Sequence, residues 1–499
     1  MSDRAVAQLT EAILERDQPR TTDLFFRMVA REGLSIGDAL ASVTKAEAPF
    51  VNVPCHINVK DGAISLINND HTILGLRTSV QLAPFLPKEQ RLLPLLQSVW
   101  YIPAGLDIWN QLLGKYPGRY ATMKGMNVPP PSYGPTVWLQ QQEPIVEEGS
   151  VEERLHQHMI ATMTGDSRRA HGVFLGLAAE PAARAALRDH LLFLGLIDLQ
   201  DTIIGRKARN TGHKALRARA VTDLAETIGW DQAHGVYYMG VPDMAVGPLY
   251  YSLYDAVCVL LAAEFPDHTG KAFVANSGRL TEQQVEELIA LTMSGSQEEL
   301  WASLTSHMRC GVSPRSLGDT LQIAACELVL RTTVPRQFTD AQHAFDYNNV
   351  ANYWLRTTVS PYAARIPYLM ANFINDVARS NKLQAPVPFA EVSGASLAAL
   401  DEAIMALDIP RATGTAWALV RGGVDVAAYQ ARVTLTACKF QDDPHNQKIT
   451  HSSFEEYSHN STHLRDRLLV SPVRLLAGWP KMPGERECFA RWEREWSRG

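Results

Sequence analysis

The chain has 499 residues, 46% of them hydrophobic, enough to bury one large core or two ordinary ones. With 47 Lys and Arg against 53 Asp and Glu, the formal net charge is -6. There is thus no general field for polyanions and no basic run interleaved with aromatics, which excludes nucleic acid as an expected partner. The N-terminal stretch MSDRAVAQLTEAILERDQPR is charged throughout, where a secretory signal needs an apolar run. No later segment approaches the roughly 20 apolar residues that span a bilayer, so a soluble, cytoplasmic protein without membrane contact is expected. Cys55, Cys258, Cys310, Cys326, Cys438 and Cys488 lie far apart with no CxxC pair, the pattern of buried thiols in a reducing compartment.

In chain order, residues 4–45 read as two amphipathic helices, the first with Val6, Leu9, Ile13 and Leu14 as its apolar positions, the second with Leu24, Phe25, Met28 and Val29. Period-two alternation around Asp61-Gly62 predicts a small β-hairpin near residues 51–67. Asn68, Asn69 and Asp70 offer oxygens to cap a helix that starts near His71 and runs through Leu76, Val80 and Leu82 to the stops at Pro84 and Pro87. Residues 127–149 are rich in Pro and Gly, then in Gln and Glu, and read as a loop. From Ser150 to about Arg379 the pattern is helical, with one break at HGVYYMGVPDMAVGPLYYSLYD, read as an aromatic-rich loop. A second irregular stretch, Leu383 to Pro388, precedes further helices. The expected fold is mainly α: a large single-core helical bundle with one β-hairpin. Residues 1–126 form its N-terminal part and 150–499 its main body, the two packed as one compact domain.

No GxGxxG follows a strand, and GxxxxGK[ST], GxSxG and HExxH are absent. Helices can still build a site by bringing histidines and carboxylates together inside a bundle. His71, at NNDHTILGL, stands at a helix start, where the macrodipole disfavours the imidazolium and leaves a ring nitrogen free for a metal. Packing near the cap is the alternative. His343 shares a face with Tyr347, Val350 and Trp354 behind Thr339, read as an N-cap, and so points inward, as a ligand or as a hydrogen-bonded core histidine. The densest constellation is ACKFQDDPHNQKITHSSFEEYSHN. There Asp443-Pro444 reads as N-cap and N1, with His445 and Lys448 on one face at i and i+3. His451, Glu455 and His459 form a second row among Ser458, Glu456 and Asn460 and read as solvated. His156 and His158 lie in a charged helix start, and His213 and His234 flank a helix leading into the tyrosine-rich segment.

Three of these segments, NNDHTILGL, QHAFDYNNVANYWL and DPHNQKITHSS, resemble the questin oxidase-like family of helical oxygenases and occur in that family's order. The resemblance implies oxidative chemistry on a polyketide-derived aromatic with dioxygen. It also implies ferrous iron, Fe(II), held by His71, His343 and His445, with Lys448 as a carboxylated lysine. The family's middle segment is not cleanly matched. For the fourth histidine, His234 is preferred over His213 or His171. The implied chemistry is coherent: a lysine in a low-dielectric site becomes a neutral amine that captures carbon dioxide, and imidazoles with an oxygen donor suit a redox-active ion. Tyr237, Tyr238, Tyr250, Tyr251 and Tyr254 are expected to stack on a planar substrate or to pack in the core. Two other readings compete: a metal-free helical binding or scaffold protein, and an oxidoreductase using NADPH, which some family members are linked with, although no dinucleotide fingerprint is present.

Overall fold

The computed structural model describes residues 3–51, 57–60, 63–66, 71–110, 142–199, 212–245, 249, 251–265, 271–440, 444–479 and 486–497. The chain opens with α1 Asp3–Leu14, α2 Gln18–Phe26 and α3 Ile36–Glu47. Three helices thus replace the two expected over 4–45. The Asp17 side chain accepts from the Arg20 amide and the Ser35 side chain from the Asp38 amide, so each restarts a helix that hydrophobic periodicity alone runs together. Two four-residue strands, β1 Ile57–Lys60 and β2 Ala63–Leu66, are described only as an antiparallel backbone pairing. The rest of 51–67 lies largely outside the described residues, and the expected hairpin carries no part of the fold argued below.

Then follow α4 Thr72–Leu82, α5 Leu93–Asn110, α6 Val151–Met163, α7 Ser167–Ala178, α8 Arg184–Ile197, α9 His213–Ile228, α10 His234–Met244 and α11 Ser252–Glu264. The segment read as a tyrosine-rich loop is therefore helical over its first half. Its glycines are packing devices: a Cβ at Gly235 would stand 2.6 Å from the Thr44 carbonyl oxygen, and one at Gly240 would stand 2.2 Å from Val221. Pro242 lies in the last turn of α10, where it gives up one hydrogen bond to the preceding turn and the helix ends two residues later. The chain continues as α12 Glu282–Ser294, α13 Gln297–Arg309, α14 Pro314–Arg331, α15 Pro335–Thr357 and α16 Ile366–Ser380. An irregular stretch covers 383–396, and the chain closes with α17 Leu397–Met405, α18 Ile409–Arg421, α19 Val426–Ala437, α20 His445–His459, α21 Arg467–Gly478 and α22 Glu487–Arg491.

The fold is mainly α-helical. One continuous apolar cluster runs from Leu9 in α1 to Trp496 at the C-terminal end. Its centre is α9, which packs against α3, α4, α8, α10 and α15, while α15 also touches α14, α16 and α20. None of the described helices is long and apolar enough to cross a membrane.

Candidate metal centre

Three histidines enter the core at helix starts. His71 is the N-cap of α4, and His213 and His445 are the first residues of α9 and α20. At each of these places the positive end of the helix dipole opposes an imidazolium and favours the neutral ring that binds metal. Gly212 makes the entry to α9 possible: its φ of 74° is left-handed, and a Cβ there would stand 2.9 Å from Tyr347. Asp443, the expected cap of α20, lies outside the described residues, as do Asn68, Asn69 and Asp70, and Pro444 occupies the N-cap position. The start of α20 lies against α4, where a Cβ on Gly75 would stand 2.8 Å from Pro444. Ser79 donates to the Gln447 side chain at 2.7 Å, and Gln342 of α15 donates to the His445 carbonyl at 2.8 Å.

His343 comes from α15. Thr339 is not its cap, because α15 begins at Pro335. One turn before His343, the Thr339 carbonyl lies 2.7 Å from Nδ1, which therefore carries the proton and leaves Nε2 bare. Ligand atoms of His71, His343 and His445 all lie within 4.8 Å of one another, and the three residues are buried. A fourth histidine joins them: His213 Nε2 is 2.9 Å from His343 Nε2, and its ring centroid is 5.0 Å from that of His71. The histidine that lies beside the three is thus His213, whereas the preferred His234 is exposed at the start of α10 and lines a separate cavity with His171. Trp479 stacks on His445 at 6.2 Å between centroids and 14° between planes.

Lys448, one turn along α20, is 4% exposed. Burial, then Lys448 and His71, pushes the His343 imidazole down to about 3, against the Thr339 hydrogen bond. His213 is held well below its ordinary value by burial first, then by His343, His71, Arg217 and Lys448. Asp346 of α15 feels Lys448: burial lifts the acid to about 6 while Lys448, Ser452 and Gln342 oppose the rise. Asp346 is 1% exposed, and no sequence motif singled it out; its i+3 spacing from His343 was the available signal.

The His451 row is not solvated over its first half. His451 is buried, and Glu455 accepts from Arg219 at 2.8 Å and from Asn349 at 2.7 Å. Glu456 accepts from Arg356 at 3.0 Å and from Asn349 at 2.8 Å. His459 alone faces solvent. Polar neighbours signalled a polar interior, with charges paired across helices. Arg77 adds an ion pair to Asp223 at 2.9 Å, so the site is walled on one side by buried charge.

Of the tyrosines expected to line a substrate site, Tyr250 lies outside the described residues. Tyr237 donates to the Trp230 carbonyl at 2.7 Å, and Tyr254 pairs with Arg365 and packs on Phe193. Tyr251 is buried, while Tyr238 donates to the Val51 carbonyl and lines the His171 cavity. Three of those described, Tyr237, Tyr238 and Tyr254, are each held by a different partner away from the four histidines: the Trp230 carbonyl, the Val51 carbonyl and Arg365.

No protein-family model, curated protein or solved structure matches the chain.

The residues fit a transition metal. Nitrogens that share one ion at about 2.1 Å each stand at most about 4.2 Å apart, so the 4.8 Å group needs only a small contraction to close on an ion. The Nε2 atoms of His213 and His343 face each other at 2.9 Å, an arrangement that a shared cation can occupy.

Proposed function

We propose that the chain is a non-haem, iron-dependent oxygenase of the questin oxidase-like type, acting on an aromatic or polyketide-like substrate with dioxygen. The observation that carries this reading is the buried convergence of His71, His343 and His445, joined by His213. These four imidazoles would hold the ion, with Lys448 beside them. A ferrous ion, when bound, supplies the electrons and the open positions that dioxygen activation needs.

The chain's own residues prepare that site. The Thr339 carbonyl fixes the His343 tautomer, and the helix starts at His71, His213 and His445 keep those rings neutral. Trp479 lies nearly parallel to the His445 ring. As a neutral amine, Lys448 adds to carbon dioxide with loss of one proton, and the resulting carbamate offers an anionic oxygen to the site. Asp346, raised to about 6 by burial and lowered by Lys448, is a carboxylate above that pH and can accept the proton released.

The 2.9 Å contact between His213 and His343 also serves as a simple hydrogen bond, which favours a second reading: a metal-free binding or scaffold protein. Metal analysis and oxygen uptake separate the two. The oxygenase reading expects near-stoichiometric iron, lost in His445→Ala and Lys448→Ala, and dioxygen consumption with hydroxylated anthraquinones. Folded protein that holds no transition metal in any preparation overturns it. Dioxygen-dependent NADPH consumption by metal-stripped protein would point to the nicotinamide alternative.

A further inference from the structure

A second built site is lined by residues none of which belongs to the metal centre. His171 of α7 lines a cavity of about 250 Å³ together with Leu175, Gln142, Pro49 and Tyr238. Lys45 and His234, both exposed, stand at its rim. His171 is 3% exposed, yet neither of its ring nitrogens has a hydrogen-bond partner among the described residues. A buried polar atom in that state is costly, so a native fold that keeps one calls for an explanation.

The surroundings are shaped for this. A Cβ at Gly172 would stand 2.6 Å from the Ile145 side chain, and one at Gly176 would stand 2.2 Å from the Ile145 carbonyl oxygen. Without those Cβ atoms the segment 142–147 runs flush along α7, the Ile145 amide donates to the Gly172 carbonyl at 2.8 Å, and Gln142 is set at the cavity. Burial, then His234 and His158, holds the His171 imidazole down to about 3, so the ring is neutral and one nitrogen is a bare acceptor. A bare acceptor at the floor calls for an O–H or N–H donor. The apolar walls call for a ring, and among the described residues the lining holds one lysine, Lys45, which is exposed at the rim rather than buried against an anion. The volume falls below the roughly 300 Å³ at which pockets for drug-sized ligands begin, so the ring is a single one.

We propose that this cavity binds a single-ring phenol, whose hydroxyl donates to His171 and whose oxygen accepts from the Gln142 amide, with the ring against Leu175, Pro49 and Tyr238. The site goes beyond the metal reading and stands without it.

The test is titration of the full-length protein with phenol and with toluene, followed by calorimetry and ligand-observed NMR. Saturable phenol binding in the millimolar range or tighter is expected, at least tenfold stronger than toluene binding. His171→Leu should lower phenol affinity at least tenfold while leaving toluene unchanged. His234→Trp, at the exposed rim, should weaken both ligands without touching the core, which keeps the test open if His171→Leu does not fold. Metal content should be the same in wild type and both variants, so failure here is distinguishable from failure at the four histidines. Absence of saturable phenol binding, equal binding of toluene, or unchanged phenol affinity in folded His171→Leu overturns the proposal.

Discussion

Replacing Glu455 by alanine tests whether buried charge holds α9, α15 and α20 together beside the site. Arg219 is 2% exposed and gives Glu455 two hydrogen bonds, and Asn349 gives it a third at 2.7 Å. Removing one member of such a pair costs roughly 3–5 kcal/mol, because the other charge stays buried. Asp223 remains 3.4 Å from Arg219 and retains part of the compensation, so the expected loss is at the low end, about 3 kcal/mol. Glu455→Gln keeps the shape and the Asn349 contact and should cost less. Urea denaturation of both variants against wild type at neutral pH reads the difference. A loss under about 1 kcal/mol in Glu455→Ala would mean that the pair behaves like one at the surface, and the reasoning would fail.

Three further outcomes are expected. Metal-free protein should lose stability on acidification. His171 and His343 are both depressed to about 3, so the unfolded chain takes up protons below about 6.5 while the fold refuses them, and stability present above that pH drains away toward 3. Asp346, raised to about 6, binds its proton in the fold first and opposes this between about 6 and 4. The two histidines less the one carboxyl leave about 1.4 kcal/mol per pH unit, to which the depressed His158, His213 and His451 add. Urea midpoints that stay flat from pH 6 to 4 would contradict it. His213→Ala should weaken iron binding tenfold or more, whereas His234→Ala should leave it unchanged, as read by anaerobic Fe(II) titration; the reverse order would return the fourth position to His234. Gly176→Ala, whose Cβ would stand 2.2 Å from the Ile145 carbonyl oxygen, should cost about 1–3 kcal/mol in thermal or chemical unfolding, and no loss would mean that segment 142–147 does not lie against α7.

The candidate site was legible where local spacing carries the geometry. His343 with Tyr347, Val350 and Trp354 defines a buried face by residue type alone, and His445 with Lys448 shares a helix face at i+3. His213 opens the helix HKALRARAVTDLAETI, whose basic residues carry no spacing that marks a core face. Lys214, Arg217 and Arg219 are in fact buried, and their charges are answered by Asp198, Asp243 and Glu455 from other elements. Long-range pairing of this kind leaves no periodic trace in the chain. Glu455 and His451 were misread for the same reason. The tyrosine-rich segment was taken for a loop because its glycines suggest breaks, whereas Gly235 and Gly240 let α10 approach α3 and α9 closely. Hydrophobic periodicity gave the helical class, and the extra helix start at Ser35 was a capping signal that periodicity does not weigh.

Iron-edge X-ray absorption on protein reconstituted with one equivalent of Fe(II) tests the central claim most directly. The account predicts a shell of nitrogen or oxygen scatterers near roughly 2.1 Å with the outer-shell signature of several imidazoles, diminished by about one ring in His213→Ala. A shell without imidazole scattering, or an unchanged spectrum when His71, His343 and His445 are all replaced, would contradict it.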